Sequence, residues 1–182
     1  MRKVGFTLLL LVLLIAAANN PARAEEEIEE QEQEEVSFKK AVSEFAKSMK
    51  AVRKYIIQQA EKRKFEETEI KLLAEIIYWE NWFTDKAKIA AYRTGAVVMN
   101  RVKSPKWPNT VYDVAYERGQ YSTTKYFYTK EIPEECYEMA KDIYYNGTPD
   151  VPYNVVFQAT FKQGYGDWDE PINGEHFCYG DA

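Results

Sequence analysis

Residues 70–101, IKLLAEIIYWENWFTDKAKIAAYRTGAVVMNR, carry two apolar helical patterns with a polar and aromatic break between them. In the first, Ile70, Leu73, Ala74 and Ile77 recur at helical spacing, and Glu80 lies three residues beyond Ile77 and seven beyond Leu73. The stripe that seeks the core therefore ends in a carboxyl group. Burying an ionised glutamate costs several kcal/mol unless it is paired, and the usual escape is a raised pKa that keeps the proton on. That is the state a general acid needs. The alternative is a glutamate that only caps a helix end or forms a salt bridge there. The second pattern, 87–102, is rich in small residues: Ala90, Ala91, Thr94, Gly95 and Ala96. Gly95 costs a helix about 1 kcal/mol relative to alanine, and close approach of a neighbouring backbone is the expected return.

Upstream, Glu66, Glu67, Thr68 and Glu69 place acids in the first turn expected of the helix that carries Glu80, and Lys62, Arg63 and Lys64 suit the C-terminus of a preceding helix. Within 36–66, Phe38, Val42, Phe45, Met49, Val52 and Ile56 alternate in steps of four and three, a heptad-like seam. It persists for fewer than three heptads, which favours an amphipathic helix docked on the following domain over a dimeric coiled coil. Self-association or a partner on 36–64 stays open. Residues 25–35 are nearly all Glu and Gln, a like-charge run expected as a tether. The chain opens with Met1-Arg2-Lys3, an apolar run over 4–18 and a small-x-small end at Ala22-Arg23-Ala24, the pattern of a secretory signal peptide spanning 1–24. The run is shorter than the roughly 20 apolar residues of a membrane span. Export to a secreted location is therefore expected, with no stable membrane insertion after cleavage.

Composition narrows the function. Without Arg2, Lys3 and Arg23 the basic count falls from 24 to 21 against 29 acids, a formal charge of −8. Nucleic acid rewards basic patches, so it is a poor partner for this chain. The single histidine, His176, and the two cysteines, Cys136 and Cys178, cannot assemble a histidine-rich zinc site without unusual carboxylate ligation. No metal or other cofactor is expected. A Cys/His nucleophile pair is confined to Cys136 or Cys178 with His176, and neither cysteine sits at a helix N-terminus that would activate it. An exported location permits a Cys136–Cys178 disulfide, while Cys136 also fits the apolar face of a helix as a reduced residue. His176 is either a satisfied polar residue on a strand face or a cleft residue. Acid/base chemistry by carboxylate remains.

Downstream, Thr110 is a candidate N-cap with Asp113 three residues on, and Val111, Val114 and Ala115 give a short helix its apolar side. The run Glu117-Arg118-Gly119-Gln120-Tyr121-Ser122 reads as a turn. Pro133, the helical spacing over 132–145 and Asn146-Gly147 define one more helix. The period then shifts: 155–161 reads as a strand, Gly164 to Asp167 as turn chemistry, and 175–179 as a return strand. The expected class is α+β, mainly helical, with a small C-terminal antiparallel hairpin; residues 67–182 form its catalytic domain.

The motifs LLAEIIYWEN, AAYRTGAVVMNRVKSPKWPNTVYDVAYERGQYS and INGEHFCY, in this order, resemble the SleB-type cell wall hydrolases, the spore-cortex-lytic enzymes and their relatives. The resemblance covers about 71–179, and its most specific part is VVMNRVKSPKWPNTVYDV followed by GQYS. It implies a lysozyme-like fold related to resuscitation-promoting factors. The implied activity is that of a lytic transglycosylase or muramidase-like enzyme on peptidoglycan glycan strands, with one catalytic glutamate ending the first helix. Carried over, Tyr78-Trp79-Glu80 matches the family's Y-x-E, with Glu80 catalytic and Tyr78 beside it. Gln120, Tyr121 and Ser122 match the cleft wall, and His176 the terminal motif beside the site. Tyr78, Trp79, Tyr121 and Trp107 can stack on sugar faces or serve the core. Where the family continues with Ala-Arg-Gly-Glu, this chain reads Asn81-Trp82-Phe83-Thr84-Asp85, so that motif's second acid is not matched. A hydrolytic route would then turn to Asp85 or Asp113, and a non-catalytic wall-binding protein is the alternative from another class.

Overall fold

A computed structural model of the chain describes residues 21–81 and 87–180. Its elements are α1 (Pro21–Asn81), α2 (Ala87–Lys103), α3 (Val111–Tyr116), a 3-10 helix (Ser122–Tyr126), α4 (Glu134–Asn146), β1 (Val155–Ala159) and β2 (His176–Tyr179). The fold is α+β, mainly helical, with one two-stranded antiparallel sheet near the C-terminus. The signal-peptide reading falls largely on residues 1–20, outside those described, as do residues 82–86 of the expected break, Asp85 among them. Among the described residues, no helix is long and apolar enough to cross a membrane.

The chain divides into two units, Met1–Ala60 and Glu61–Ala182. In the first, the acidic run 25–35 lies within α1 and is helical. Exposed pairs at i,i+4, Arg23 with Glu27 at 3.2 Å and Glu35 with Lys39 at 2.7 Å, suit a helix but contribute little each. The heptad residues are all exposed, from Val52 at 48% to Phe38 at 69%.

In the second unit, α1 passes without interruption through 62–66, where the charge pattern predicts one helix ending and another beginning. No glycine or proline interrupts the sequence there, and the charges that would suit two helix ends also pair along one helix. The Lys62 ammonium lies 3.7 Å from Glu66, and the Thr68 hydroxyl donates to the Lys64 carbonyl at 2.9 Å. Farther on, Leu72, Leu73, Ala74, Glu75, Ile76 and Ile77 are all buried, so α1 is enclosed on every side here rather than along one stripe. Glu75 is satisfied by the Trp79 indole N–H at 2.9 Å.

The main core joins these residues to Ala91, Val98 and Met99 of α2, Val111, Val114 and Ala115 of α3, and Cys136, Ala140 and Ile143 of α4. A Cβ on Gly95 would lie 2.6 Å from Ile143 Cδ1 and 3.1 Å from Ile77 Cδ1. Gly95 is what lets α1, α2 and α4 meet at this level. A smaller core of Ala96, Val97, Val151, Val155 and Phe177 seats the hairpin on α2. The helix α4 ends where Asn146-Gly147 predicts, with Gly147 at φ 78° and its N–H bonded to the Ile143 carbonyl.

Strand β1 is two residues shorter than its pattern and β2 one. Their register pairs Val155 with Tyr179, Phe157 with Cys178, Gln158 with Phe177 and Ala159 with His176. The register shifts between Val155 and Phe157, a bulge that leaves Val156 unpaired and frees its carbonyl. The Arg101 Nε donates to that carbonyl at 2.7 Å, and the Asn100 amide donates to Pro152 and Val155 carbonyls at 2.9 and 3.0 Å. The end of α2 is thereby tied to the strand that walls the candidate site. Cys136 and Cys178 are free, buried thiols, so the permitted disulfide is not formed.

Candidate active site

Glu80 is the penultimate residue of α1, at the negative end of the helix dipole, which opposes ionisation of a carboxyl group. It is partly buried, and its Oε1 accepts the hydroxyl of Thr123 from the 3-10 helix. Burial raises its pKa most, the Thr123 hydrogen bond pulls the other way, and the negative charge of Glu175 raises it again.

A cavity of about 530 Å³ opens beside this carboxyl group. That volume lies within the roughly 300–1,000 Å³ of ligand clefts. The wall is assembled from Glu80, the turn 119–122, Arg101 of α2, Gln158 and Ala159 of β1 with the residues that follow, and Glu175 before β2. Gln120, Tyr121 and Ser122 of the GQYS turn thus share one cavity with Glu80.

Arg101 and Glu175 are each held on this wall by identifiable partners. Arg101, 3% exposed, is anchored on the β1 bulge, with its guanidinium 4.5 Å from the Trp107 ring centre and 5.7 Å from that of Tyr121. Glu175 exchanges both backbone hydrogen bonds with Ile172, at 3.0 and 3.1 Å, closing the tight turn that carries it. Its pKa is raised by burial, against a hydrogen bond from Gln158 and the proximity of His176. Two buried polar atoms of the wall, Tyr121 Oη and Gln158 Oε1, have no hydrogen-bond partner among the described residues. Burial holds the Tyr121 phenol above its usual pKa, so it presents an O–H.

Other residues expected from the sequence stand elsewhere. His176 does not line this cavity; its Nδ1 is 2.8 Å from Asp167 Oδ1, in a group with Lys162 and Cys178. The Lys162 ammonium, foremost, and the His176 ring hold the Asp167 carboxyl down at about 2. Cys178 Sγ donates to the same Asp167 oxygen at 3.4 Å, and burial raises its pKa. Cys136 is pushed up to about 12 by burial. Neither cysteine has the surroundings of an activated thiolate.

Tyr78 also lies off the cavity lining: its ring packs edge-on to Trp79 at 5.1 Å, and Lys130 sits over both rings. Trp79 stacks on Tyr126 at 5.2 Å. Trp107 lines a separate cavity of about 450 Å³ with Tyr153 and Phe157. Asp113 is engaged at the start of α3, where its carboxylate accepts the Thr110 hydroxyl at 2.7 Å.

Four residues of the site escape a reading of the sequence: Arg101, Thr123, Gln158 and Glu175. Only Glu175 left a signal there. It adjoins His176 in the terminal motif, in the turn that leads into β2.

Residues 87–173 match the family model described as Cell Wall Hydrolase. No curated protein and no solved structure matches the chain. The match takes in Arg101, the GQYS turn, Thr123 and Gln158, whereas Glu80, Glu175 and His176 lie just outside it. Through this segment, which supplies most of the wall facing Glu80, the chain is similar to the cell wall hydrolases.

Proposed function

We propose that the protein is exported, is cut after Ala24, and cleaves peptidoglycan glycan strands between N-acetylmuramic acid and N-acetylglucosamine, with Glu80 as general acid. The observation that carries this reading is a carboxyl group with raised proton affinity at the wall of a polar cavity of about 530 Å³. A protonated Glu80 gives its proton to the glycosidic oxygen as the bond from the muramic acid C1 breaks. Gln120 and Ser122 of the turn, exposed on the same wall, offer hydrogen-bonding groups to sugar hydroxyls and acetamido carbonyls. The resemblance to SleB-type enzymes supports a lytic transglycosylase: the C6 hydroxyl captures the cation-like sugar, ionised Glu80 takes the hydroxyl proton, and an anhydro-muramyl end results.

One observation favours a second reading, hydrolysis. A one-carboxylate route follows most naturally from a site with one acid, and here Glu175 lines the same cavity as Glu80. It replaces Asp113 as the candidate second carboxylate, since Asp113 is bound at a helix start away from the cavity lining; Asp85 lies outside the described residues.

Purified protein is to be incubated with sacculi beside its Glu80→Gln variant. Wild type is expected to release soluble muropeptides and the variant none, with both retaining the same circular dichroism spectrum. Equal release by the two would remove Glu80 from the chemistry. Binding to sacculi without any release by wild type would leave a wall-binding protein instead.

A further inference from the structure

We propose that Glu175 is the general base that directs a water molecule onto C1 of the muramic acid, so that this site hydrolyses the glycan instead of closing it into an anhydro ring. The inference rests on the glycan-cleaving role of Glu80 and goes on to assign the other half of the reaction.

Three observations point to it. First, Glu80 and Glu175 belong to elements far apart in sequence, the end of α1 and the turn before β2, yet both line one cavity. Second, Glu175 is held in place, its backbone by the paired hydrogen bonds with Ile172 and its carboxylate by the Gln158 amide. A base that must meet a water in one geometry needs such fixing. Third, Gln158, which holds the Glu175 carboxylate, lines the same cavity as both carboxyl groups, so the anchor and the group it positions share one space with Glu80.

The electrostatics divide the roles. Burial raises both carboxyl groups; at Glu175 the Gln158 hydrogen bond and His176 oppose it, whereas at Glu80 the charge of Glu175 adds to burial and only Thr123 opposes it. Glu80 is thus the better suited of the two to act as the acid and Glu175 as the base.

The step balances as follows. The Glu80 proton passes to the glycosidic oxygen, the C1–O bond breaks with its electron pair going to that oxygen, and N-acetylglucosamine leaves with a free hydroxyl group. The water oxygen bonds to C1 while Glu175 takes one of its protons. The product is a muramic acid hemiacetal, with Glu80 ionised and Glu175 protonated until solvent exchanges the proton between them.

The test is digestion of sacculi in ¹⁸O-water, with products read by mass spectrometry. Wild type is expected to release reducing muramyl ends carrying one ¹⁸O. Glu175→Gln should lose about 100-fold or more of the rate, in line with removal of a general base. Glu175→Ala should recover turnover as sodium azide is added and yield a muramyl azide, a signature that loss of a merely structural carboxylate would not produce. Anhydro-muramyl ends from wild type would overturn the proposal while leaving Glu80-dependent cleavage standing, as would undiminished hydrolysis by Glu175→Gln. Absence of any cleavage by wild type would instead remove the glycan-cleaving role on which the inference rests.

Discussion

The Glu69 carboxylate of α1 accepts the backbone N–H of Val111 at 2.6 Å and that of Tyr112 at 3.2 Å, so a buried side chain distant in sequence caps the start of α3. The local cap, Thr110, accepts only the Asp113 N–H, at 3.0 Å. Two of the N–H groups that a helix start leaves open are therefore satisfied by a charge-assisted tertiary contact. Because α3 leads directly into the turn 117–122, this contact also helps to set the cavity wall.

Loss of the Glu69 contact should cost more than loss of the local cap. Glu69→Ala would leave two N–H groups unsatisfied, one of them buried, and is expected to cost about 2–3 kcal/mol. Thr110→Ala should cost about 1 kcal/mol. Urea unfolding of the two variants beside wild type measures both, and equal costs would show that the tertiary cap adds nothing to the local one.

The proton on Glu80 has a stability consequence. Its pKa is raised in the fold, by burial foremost, so between the unfolded and folded values the native state binds more protons than the unfolded chain. Its contribution is fully present below the unfolded value and is lost as pH rises through the folded one. Glu80→Gln, which carries no charge at any pH, is therefore expected to be more stable than wild type at pH 7 to 8 and to lose that advantage at about pH 4. Thermal melts across this range check it; a Glu80→Gln variant less stable than wild type at pH 8 would contradict the sign.

Thr123 provides a kinetic test of the same group. Its hydroxyl stabilises the ionised form of Glu80, opposing the effect of burial. Thr123→Val removes that donor and should raise the Glu80 pKa further. A reaction that needs protonated Glu80 loses kcat/KM as pH rises through this pKa, so the alkaline limb of the profile should move to higher pH in the variant. A limb that stays in place or moves down would show that the acid titrating there is not Glu80.

Much of this architecture is legible in the residues themselves. The small-residue run of α2, the Thr110 cap, the Asn146-Gly147 stop and the hairpin all follow from local chemistry, and Glu80 is marked by a carboxyl group at the end of an apolar stripe. What escapes is set by distance in the sequence. The continuity of α1 through 62–66 depends on Lys62 and Glu66 pairing rather than marking two ends. The partnership of Glu80 with Glu175 depends on the hairpin folding back over the end of α1, and no spacing records it. His176 lies off the cavity lining, paired with Asp167 nine residues before it, and the bulge at Val156 that anchors Arg101 has no glycine to announce it.

Gly95 shows how narrowly the helices beneath the site are fitted. Replacing a helical glycine with alanine ordinarily stabilises by about 1 kcal/mol. Here the new methyl group would meet Ile143 Cδ1 at 2.6 Å, closer than carbon atoms tolerate, and Ile77 Cδ1 at 3.1 Å, where the neighbour must give by a few tenths of an ångström. Both are ends of side chains that are fully buried themselves, so they have little room to withdraw. Overpacking of this kind costs about 1–3 kcal/mol, which outweighs the gain in propensity. Gly95→Ala is therefore expected to be destabilising, and Ile143→Val, which removes the nearer methyl group, should recover part of the loss when combined with it. A double-mutant cycle read by urea unfolding measures the coupling. Additive effects, or a Gly95→Ala variant more stable than wild type, would mean that α1 and α4 can separate at this level without cost.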